Sequence, residues 1–208
     1  MGNPEIEFWF LLRRNGLGLF GLRLTRHPDN IKSLPRGELR PELAHLLCLI
    51  SEPQRNDIFL DPFAGHGAIP VERATCFPYR KILSSDNNLQ MINKLRKRIR
   101  ELKLDIQVEK WGALKLESLS DQSINKIVTD PPWGHFLGKG LNLEQFYTQM
   151  FDSFYRILKS QGIVVLIVEK KELMEGVINN FPDKFKLRQK LNTLVSGRKA
   201  GVYKLIKT

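Results

Sequence analysis

Two short strings in this chain carry residue types that could do chemistry. The first is D-P-F-A-G-H-G at residues 61–67, and the second is T-D-P-P-W-G at residues 129–134. An apolar run, a carboxylate and two glycines predict a strand that turns tightly into a helix, a common cradle for nucleotide-like cofactors. A carboxylate, two prolines and an aromatic ring at the end of another strand suit a flat base held by its amino group. Together the strings predict a site for a cofactor and a nucleobase.

The second string indicates chemistry on an exocyclic amine, whose lone pair is delocalised into the base. If the Asp130 carboxylate and the Pro131 carbonyl accept its two N–H groups, the nitrogen becomes tetrahedral and can attack a sulfonium methyl group. The carboxylate would also stabilise the charge that develops on nitrogen. Pro132 stiffens the backbone further, and Trp133 offers a face for an unstacked base. We predict these four as catalytic residues; the alternative is a rigid surface turn, which Asp-Pro steps often mark.

The first string provides the cofactor half of the predicted site. Gly65 and Gly67 let the backbone turn sharply and approach a ligand closely. Asp86 ends the next predicted strand, where it could accept both ribose hydroxyls or instead cap the following helix. A dinucleotide fingerprint requires a further glycine where this chain has Pro70, and there is no G-K-[ST], so neither a nicotinamide site nor a P-loop is indicated.

The adenine end of a cofactor is expected after the third strand of this half. Trp111, Gly112 and Ala113 follow that strand, without an acidic residue at this step. We expect backbone groups of Gly112 and Ala113, or the Trp111 ring, to hold the adenine.

These strings must be positioned by an alternation of strands and helices. We predict strands at residues 57–62, 81–85, 106–110, 124–130 and 162–169, and helices at 39–51, 67–75, 88–102, 143–158 and 171–180. Two last strands, 186–195 and 201–207, have only a five-residue link, so they pair antiparallel. The fold class is α/β: a Rossmann-like, mostly parallel sheet with a C-terminal antiparallel hairpin, which is typical of seven-stranded class I methyltransferases.

Two further segments frame this predicted domain. Apolar runs at residues 5–14 and 17–25 flank Asn15-Gly16 and predict an N-terminal β-hairpin that must pack on something. We assign residues 1–36 to this hairpin extension and its linker, and residues 37–208 to the main domain. Residues 135–142, with two glycines and a lysine beside the base site, predict a mobile loop that closes on substrate or a simple connector.

The composition favours a polyanionic partner. The formal net charge is +11, while hydrophobic and charged contents of 42% and 26% are ordinary for one globular domain. A charge that serves only solubility is the alternative. Cys48 and Cys76 have no partner spacing for zinc or a disulfide, and we expect both to be buried thiols in a reducing cytoplasm. We expect no membrane segment and no signal peptide.

The string R-G-E-L-R-P-E-L-A at residues 36–44 precedes the other two. In this order the three strings resemble the RNA guanine-N2 methyltransferases that are usually fused to a THUMP RNA-binding domain. The match extends to the S-G-R-K-A-G of residues 196–201. The resemblance implies S-adenosyl-L-methionine as cofactor and methylation of the guanine 2-amino group in structured RNA, above all tRNA.

The resemblance also implies roles for particular residues. Trp133 stands where the family's motif more commonly has tyrosine. The catalytic positions are again those of residues 130–133. The residues expected at the cofactor are Arg40 and Pro41 near the methionine end, with Asp61, Phe63, Gly65, Gly67, Asp86, Asn87, Gly112 and Ala113.

A THUMP domain needs more than the 36 residues before the matching region. RNA binding is therefore expected from the chain's own basic surface, namely residues 93–100 and the Arg13-Arg14 hairpin tip, or from a protein partner. The basic run at 93–100 could instead be a solvated helix face. Two rival functions stay open: an adenine-N6 methyltransferase on DNA or RNA, and a non-catalytic subunit of an RNA-modifying complex. The base modified in the product separates these alternatives.

Overall fold

A computed structural model of the chain describes residues 7–23, 37–134, 140 and 142–208. The chain divides into two compact units, Met1–Arg36 and Gly37–Thr208. Seven strands and five helices are described in the second unit: α1 (Pro41–Ile50), β3 (Ile58–Asp61), α2 (Ala68–Cys76), β4 (Lys81–Ser85), α3 (Leu89–Glu101), β5 (Gln107–Glu109), β6 (Ile124–Thr129), α4 (Leu143–Ile157), β7 (Leu158–Val168), α5 (Lys171–Asn179), β8 (Phe185–Val195) and β9 (Arg198–Lys207). None of the described helices is long and apolar enough to cross a membrane.

The first unit contains the predicted N-terminal hairpin. Strands β1 (Glu7–Leu12) and β2 (Gly18–Arg23) pair antiparallel, with Leu12 opposite Gly18. Gly16 adopts a φ of +79°, while Asn15 does not enter the left-handed region and its Oδ1 accepts the Leu17 N–H. The turn therefore requires a positive φ at one of the two predicted residues, as in three-residue hairpin loops.

The second unit is built on one seven-stranded sheet in the order β5-β4-β3-β6-β7-β9-β8. Strands β5 to β7 pair parallel, and β9 pairs antiparallel with both β7 and β8. The predicted mostly parallel sheet with a C-terminal antiparallel hairpin is confirmed. The strand order reverses between β3 and β6, and such a reversal opens a crevice beyond the strand ends.

The largest differences from the predicted boundaries lie in the last three strands. The link between β8 and β9 is the two-residue turn Ser196-Gly197 rather than five residues, because both residues adopt positive φ (+49° and +83°). Two consecutive positive φ values match the twist of the flanking strands. Strand β7 begins at Leu158 rather than at residue 162, and a pairing irregularity between Ile124 and Lys126 of β6 accommodates the longer strand.

Apolar side chains cover both faces of the sheet, so each central strand contributes to two cores. On β6, Ile127 packs with α4 and α5, whereas Val128 packs with α1, α2 and α3. This alternation follows from the two-residue period of a strand. Cys48 is buried as expected, but Cys76 is exposed because it lies at the last turn of α2, so the expectation of a second buried thiol was wrong.

A buried ion pair connects α2 to the segment before β3. The Arg73 side chain has no exposed surface; its Nη2 donates to Asp57 Oδ2 at 2.9 Å and its Nη1 to the Pro78 carbonyl at 2.7 Å. The guanidinium also lies 5.4 Å from the centre of the Phe59 ring. Because β3 begins directly after Asp57, this pair helps to fix the strand that carries the first string.

We predict that Gly67→Ala destabilises the fold by about 1–3 kcal/mol. Gly67 has a φ of +89°, and a Cβ there would lie 2.2 Å from Leu95 Cδ1 of α3. Urea denaturation measures the free energy of unfolding. Gly176→Ala is the matched control, because its Cβ would meet open space within α5; it should change stability by no more than about 1 kcal/mol. Equal stability of the two variants would contradict the prediction.

Candidate active site

Three carboxylates lie at the C-terminal ends of neighbouring parallel strands. Asp61 is the last residue of β3, Asp86 follows β4 and Asp130 follows β6. These strands are adjacent in the order β4-β3-β6. Open parallel sheets bind their ligands at this edge. The structure therefore brings together the two strings that the sequence analysis singled out.

The glycine turn after β3 is fixed to the end of β4. Gly65 and Gly67 have φ values of +50° and +89°, a region that glycine adopts without strain. The Gly65 N–H donates to Asp86 Oδ2 at 3.0 Å, and the Ala64 N–H donates to the Ser85 carbonyl at 2.9 Å. A Cβ on Gly65 would meet no atom within 4 Å. The turn thus presents bare backbone to open space, where a ligand can approach it.

Asp86 organises the backbone on both of its sides. Its Oδ1 accepts the Asn88 N–H at 2.8 Å, while Asn88 itself caps α3 by accepting the Gln90 N–H at 2.9 Å. The alternative that Asp86 caps this helix is therefore wrong. A carboxylate has about four lone-pair sites, so Asp86 keeps acceptor capacity for ligand hydroxyls. The neighbouring Asn87 is exposed.

Arg98 supports the glycine turn from α3, a role that sequence analysis missed. Its Nη1 donates to the His66 carbonyl at 2.9 Å and to Glu38 Oε1 at 2.6 Å. Glu38 lies just before α1, so Arg98 connects the glycine turn to the segment that carries Arg40 and Pro41. Both of those residues are exposed at the start of α1. No local pattern could have indicated this contact, because its partners are 32 and 60 residues away.

Asp61 is almost completely buried and joins the ends of β3 and β6. Its Oδ1 accepts the Thr129 hydroxyl at 2.7 Å and the Phe63 N–H at 3.2 Å. Burial raises the pKa of Asp61 to about 7, against the effect of these two hydrogen bonds, and the nearby Asp86 raises it further. Thr129 was not predicted as a site residue, although it directly precedes Asp130.

Asp130 is held by the aromatic residue of its own string. The Trp133 indole N–H donates to Asp130 Oδ1 at 2.8 Å and to the Ile167 carbonyl of β7 at 3.2 Å. Removal from water raises the pKa of Asp130 to about 8, the Trp133 hydrogen bond opposes this shift, and the charge of Asp61 adds to it. Stacking of a base on Trp133 stays a prediction, and the indole has the further task of orienting the carboxylate.

Helix α4 contacts the second string through the Pro132 carbonyl. The Tyr147 hydroxyl donates to the Pro132 carbonyl at 2.6 Å, and Pro131 is buried. Phe63 of the first string lies 5.9 Å, centroid to centroid, from the Phe146 ring of the same helix. Tyr147 was missed because nothing in the local sequence of an amphipathic helix distinguishes it from a core residue.

The segment after β5 lies at the same edge of the sheet, two strands from β3. Gly112 is exposed and a Cβ there would meet open space, whereas Ala113 is buried. Trp111 is half-buried and packs against the core on the α4 face. Backbone contact of Gly112 and Ala113 with an adenine stays a prediction.

The predicted substrate loop and the basic run of α3 are described to different extents. The loop at residues 135–142 lies largely outside the described residues, which include only 140 and 142 of it. The basic run of α3 is described, and three of its basic side chains are close to acids. Besides Arg98, Arg96 lies 4.0 Å from Glu109 and Lys97 lies 3.8 Å from Glu101.

One cluster of metal-ligand type occurs among the described residues, away from the three carboxylates. Glu72 accepts from His45 Nδ1 at 2.8 Å and from the Cys76 thiol at 3.1 Å, and the ligand atoms of the three residues lie within 4.8 Å of one another. The hydrogen bond to Glu72 raises the pKa of Cys76 to about 11, and partial burial and the charge of Glu72 add to the shift. Because these groups satisfy one another, the cluster is explained as a contact between α1 and α2.

Comparisons with known proteins agree with this geometry. The family model described as RMKL-like, methyltransferase domain (UPF0020) matches residues 31–199. The chain is 28% identical over 228 residues to the "tRNA (guanine(6)-N(2))-methyltransferase THUMP3" of Bos taurus, covering 100% of this chain and 44% of that protein. The chain thus spans less than half the length of that relative.

Two further relatives represent an archaeal enzyme and a solved structure. A "Probable tRNA (guanine(10)-N2)-dimethyltransferase" of Methanothermococcus thermolithotrophicus is 30% identical over 146 residues, with 64% of this chain and 86% of that protein covered. The crystal structure of TrmN from Thermus thermophilus superposes with a TM-score of 0.79 at 24% identity, over 100% of this chain and 61% of that one. This last likeness shows the fold.

The resemblance that the three strings indicated is thereby confirmed. The model match covers most of residues 37–208, including both strings and all three carboxylates. This chain belongs to the family of RMKL-like methyltransferase domains, UPF0020.

Proposed function

We propose that this chain is an S-adenosyl-L-methionine-dependent methyltransferase that modifies the 2-amino group of guanine in RNA, with tRNA as the substrate. Family membership and the names of the relatives support this proposal. In it, residues 37–208 are the methyltransferase domain and residues 1–36 an extension. RNA binding comes from the chain's own basic surface or from a protein partner. The free thiols of Cys48 and Cys76 suit a reducing compartment such as the cytoplasm.

The observation that carries the proposal is a pair of desolvated carboxylates that lack a cation. The pKa values of Asp61 and Asp130 are raised to about 7 and about 8, and among the described residues neither forms an ion pair with lysine or arginine. A site of this kind favours a positively charged ligand, because a cation offsets the cost of removing carboxylates from water. The sulfonium and ammonium groups of S-adenosylmethionine fit that requirement.

The residues around this pair also fit the remainder of the cofactor. The open space above Gly65 admits a ligand against the backbone, and Asp86 has acceptor capacity for two ribose hydroxyls. We assign the remaining contacts as follows: Phe63, Gly67 and Asn87 beside the ribose and turn, Gly112 and Ala113 at the adenine, and Arg40 and Pro41 at the methionine end. When bound, S-adenosylmethionine supplies a methyl group on a positively charged sulfur.

Asp130 and Pro131 activate the amine in this mechanism. The carboxylate of Asp130 and the carbonyl of Pro131 accept the two N–H groups of the guanine 2-amino group, which frees the nitrogen lone pair for in-line attack. The same carboxylate would stabilise the positive charge that arises on nitrogen as the N–C bond forms and the S–C bond of the cofactor breaks. The uncharged thioether would leave, and the surplus proton on nitrogen would pass to Asp130 or to water. Trp133 holds the carboxylate in place, and Tyr147 fixes the adjoining Pro132 carbonyl. The acceptor atoms are therefore oriented before the base arrives, which reduces the reorganisation that the reaction requires.

The primary test is incubation with S-adenosylmethionine and unfractionated tRNA, with DNA in parallel, followed by digestion to nucleosides and mass spectrometry. We expect N2-methylguanosine in the tRNA digest. N6-methyladenine in either nucleic acid would replace the proposal with the adenine alternative. Binding of S-adenosylmethionine without any methylated product would favour a non-catalytic subunit.

We predict that Asp130→Asn lowers the rate of methylation at least about 100-fold. The carboxylate accepts one N–H from Trp133 and one from the amine, whereas an amide has only one oxygen for both and carries no negative charge to stabilise the nitrogen. The dissociation constant for S-adenosylmethionine should change by no more than a few fold, since Asp61 keeps its charge and the direct cofactor contacts are assigned to other residues. Asp183→Asn, an exposed aspartate, is the matched control and should retain full activity. Full activity of Asp130→Asn would refute the catalytic role.

We predict that Trp133→Phe shifts the acidic limb of the kcat/KM profile to higher pH. Methylation requires the Asp130 carboxylate, so activity rises with pH through its pKa, which is about 8 in the free protein. The indole N–H stabilises the charged form, and its removal raises that pKa. Tyr155→Phe, at the far end of α4, controls for the loss of a polar aromatic. An unshifted limb would show that the indole does not tune Asp130.

We predict that Asp86→Ala weakens S-adenosylmethionine binding about tenfold or more, because hydrogen bonds to a charged acceptor are lost. Isothermal titration calorimetry measures the dissociation constant. Asp86 also holds the Gly65 N–H, so a thermal melt must accompany the measurement. Asp105→Ala, an exposed loop aspartate, is the control. Unchanged affinity in a folded Asp86→Ala variant would restrict this residue to a structural role.

A further inference from the structure

A groove with basic residues in its lining lies between the start of α5 and the β8–β9 hairpin. It has a volume of about 320 Å³ and is lined by Lys171, Asn192, Thr193, Leu194, Lys199 and Ala200. Lys199 is exposed, and it forms no ion pair with any described residue. Lys171 Nζ donates to Asn192 Oδ1 at 3.1 Å, which leaves further ammonium protons for a ligand. The lining offers cationic and neutral donors and no carboxylate.

The topology puts this groove at the same edge of the sheet as Asp130. Gly201 of β9 pairs with Val168, the last residue of β7, and Asn192 of β8 pairs with Gly201. The carbonyl of Ile167, one residue earlier in β7, receives the Trp133 indole. Because neighbouring strands are about 4.8 Å apart, the groove lies roughly 10–15 Å from the end of β6. A nucleotide adjacent to one bound at Asp130 can reach that distance.

The charges around the groove favour an anion. Of the three carboxylates on the neighbouring segment, Glu169 lies 3.3 Å from Arg198 and Glu175 lies 2.6 Å from Lys190. Glu172 is exposed in the first turn of α5. Lys170, the N-cap residue of α5, makes no side-chain cap. The Lys171 N–H donates to the Glu169 carbonyl at 2.9 Å, while the next first-turn N–H groups lack acceptors within the helix. These groups add a positive partial charge on the groove side of α5.

The alternative basic surface on α3 is partly neutralised by acids. Arg96, Lys97 and Arg98 each lie within 4.0 Å of a carboxylate, and Arg98 also supports the glycine turn. Basic side chains that already neutralise acids release fewer counterions from a polyanion. Lys94 and Arg100 are exposed and form no ion pair with a described residue, so the groove differs from α3 by its place at the edge where the base must enter.

We propose that the groove between α5 and the β8–β9 hairpin binds a backbone phosphate of the RNA, one or two nucleotides from the base that enters the site. This inference rests on the proposed function, because it takes RNA as the substrate. Lys171 and Lys199 contact the phosphate oxygens, and the side-chain amide of Asn192 donates a hydrogen bond. Such contacts fix the position of the strand and carry no sequence information themselves.

Amide NMR of the whole chain with a five-nucleotide single-stranded RNA that contains one guanosine tests the contact directly. We expect shifts of the amides of Glu172, Thr193 and Ala200 that saturate with the RNA and are reversed by salt. The Lys171→Ala/Lys199→Ala variant should lose them, and Lys171→Arg/Lys199→Arg should retain them. Absence of these shifts in the wild-type chain, or shifts confined to α3, would overturn the proposal.

Binding of unfractionated tRNA as a function of salt supplies a second measurement. Loss of this one phosphate contact should reduce the slope of log K against log[salt] by about 1. The KM for tRNA should rise in the methylation assay while the dissociation constant for S-adenosylmethionine stays unchanged. Arg80→Ala/Lys81→Ala is the matched control: it removes the same charge at the opposite edge of the sheet, before and at the start of β4. Equal slopes for the two double variants would overturn the proposal.

The two proposals fail in different ways. A wild-type chain that methylates tRNA, with groove variants that behave like the control, would refute the groove and leave the function intact. A wild-type chain that makes no N2-methylguanosine but shifts the groove amides with RNA would refute the reaction and leave the groove intact.

Discussion

The carboxylates at the ends of β3 and β6 impose a constraint that the surrounding structure has to meet. Asp61 and Asp130 lie on adjacent strands in a desolvated setting, and their raised pKa values measure the cost of charging them there. The Thr129 hydroxyl holds Asp61, and the Trp133 indole holds Asp130. Each carboxylate thus has a neutral donor in place of a cation. The negative charge of the two carboxylates is therefore not balanced within the site, and a cationic ligand can balance it.

Rigidity around Asp130 comes from its own string and from two elements that are distant in sequence. The prolines restrict the backbone from within the string, Tyr147 binds the Pro132 carbonyl from α4, and the Ile167 carbonyl of β7 anchors Trp133. On the cofactor side, Arg98 and Asp86 fix the glycine turn from α3 and β4. Groups that hydrogen-bond to the reacting atoms hold exact positions only when contacts of this kind already fix them. The fold provides these contacts because the C-terminal ends of β3, β4, β6 and β7 lie at one edge of the sheet.

Local patterns were sufficient for much of this architecture. The bounds predicted for β4 are those observed, because an apolar run between a turn and Asp86 leaves little choice. The three carboxylates at the sheet edge were predicted because each lies at the end of a buried strand: Asp61 and Asp130 within the two strings, and Asp86 after the next strand. The link between β8 and β9 was predicted too long, since Ser196 adopts a positive φ that is unusual for its type. The roles of Arg98 and Tyr147 could not be predicted from the sequence, because tertiary packing determines their partners and no periodic pattern of residues indicates them.

The distribution of charge explains how one edge of the sheet can serve a cation and a polyanion together. The acids of the site are buried, where the low dielectric makes their charge strong at short range. The lysines of the groove are exposed, where salt screens charges beyond about 8–10 Å. A phosphate at Lys171 and Lys199 is therefore attracted locally and scarcely repelled by Asp61 and Asp130, which lie beyond that length. Separation by depth as well as by distance lets exposed lysines lie at the same edge of the sheet as desolvated carboxylates, and Lys171 and Lys199 contribute to the net charge of +11.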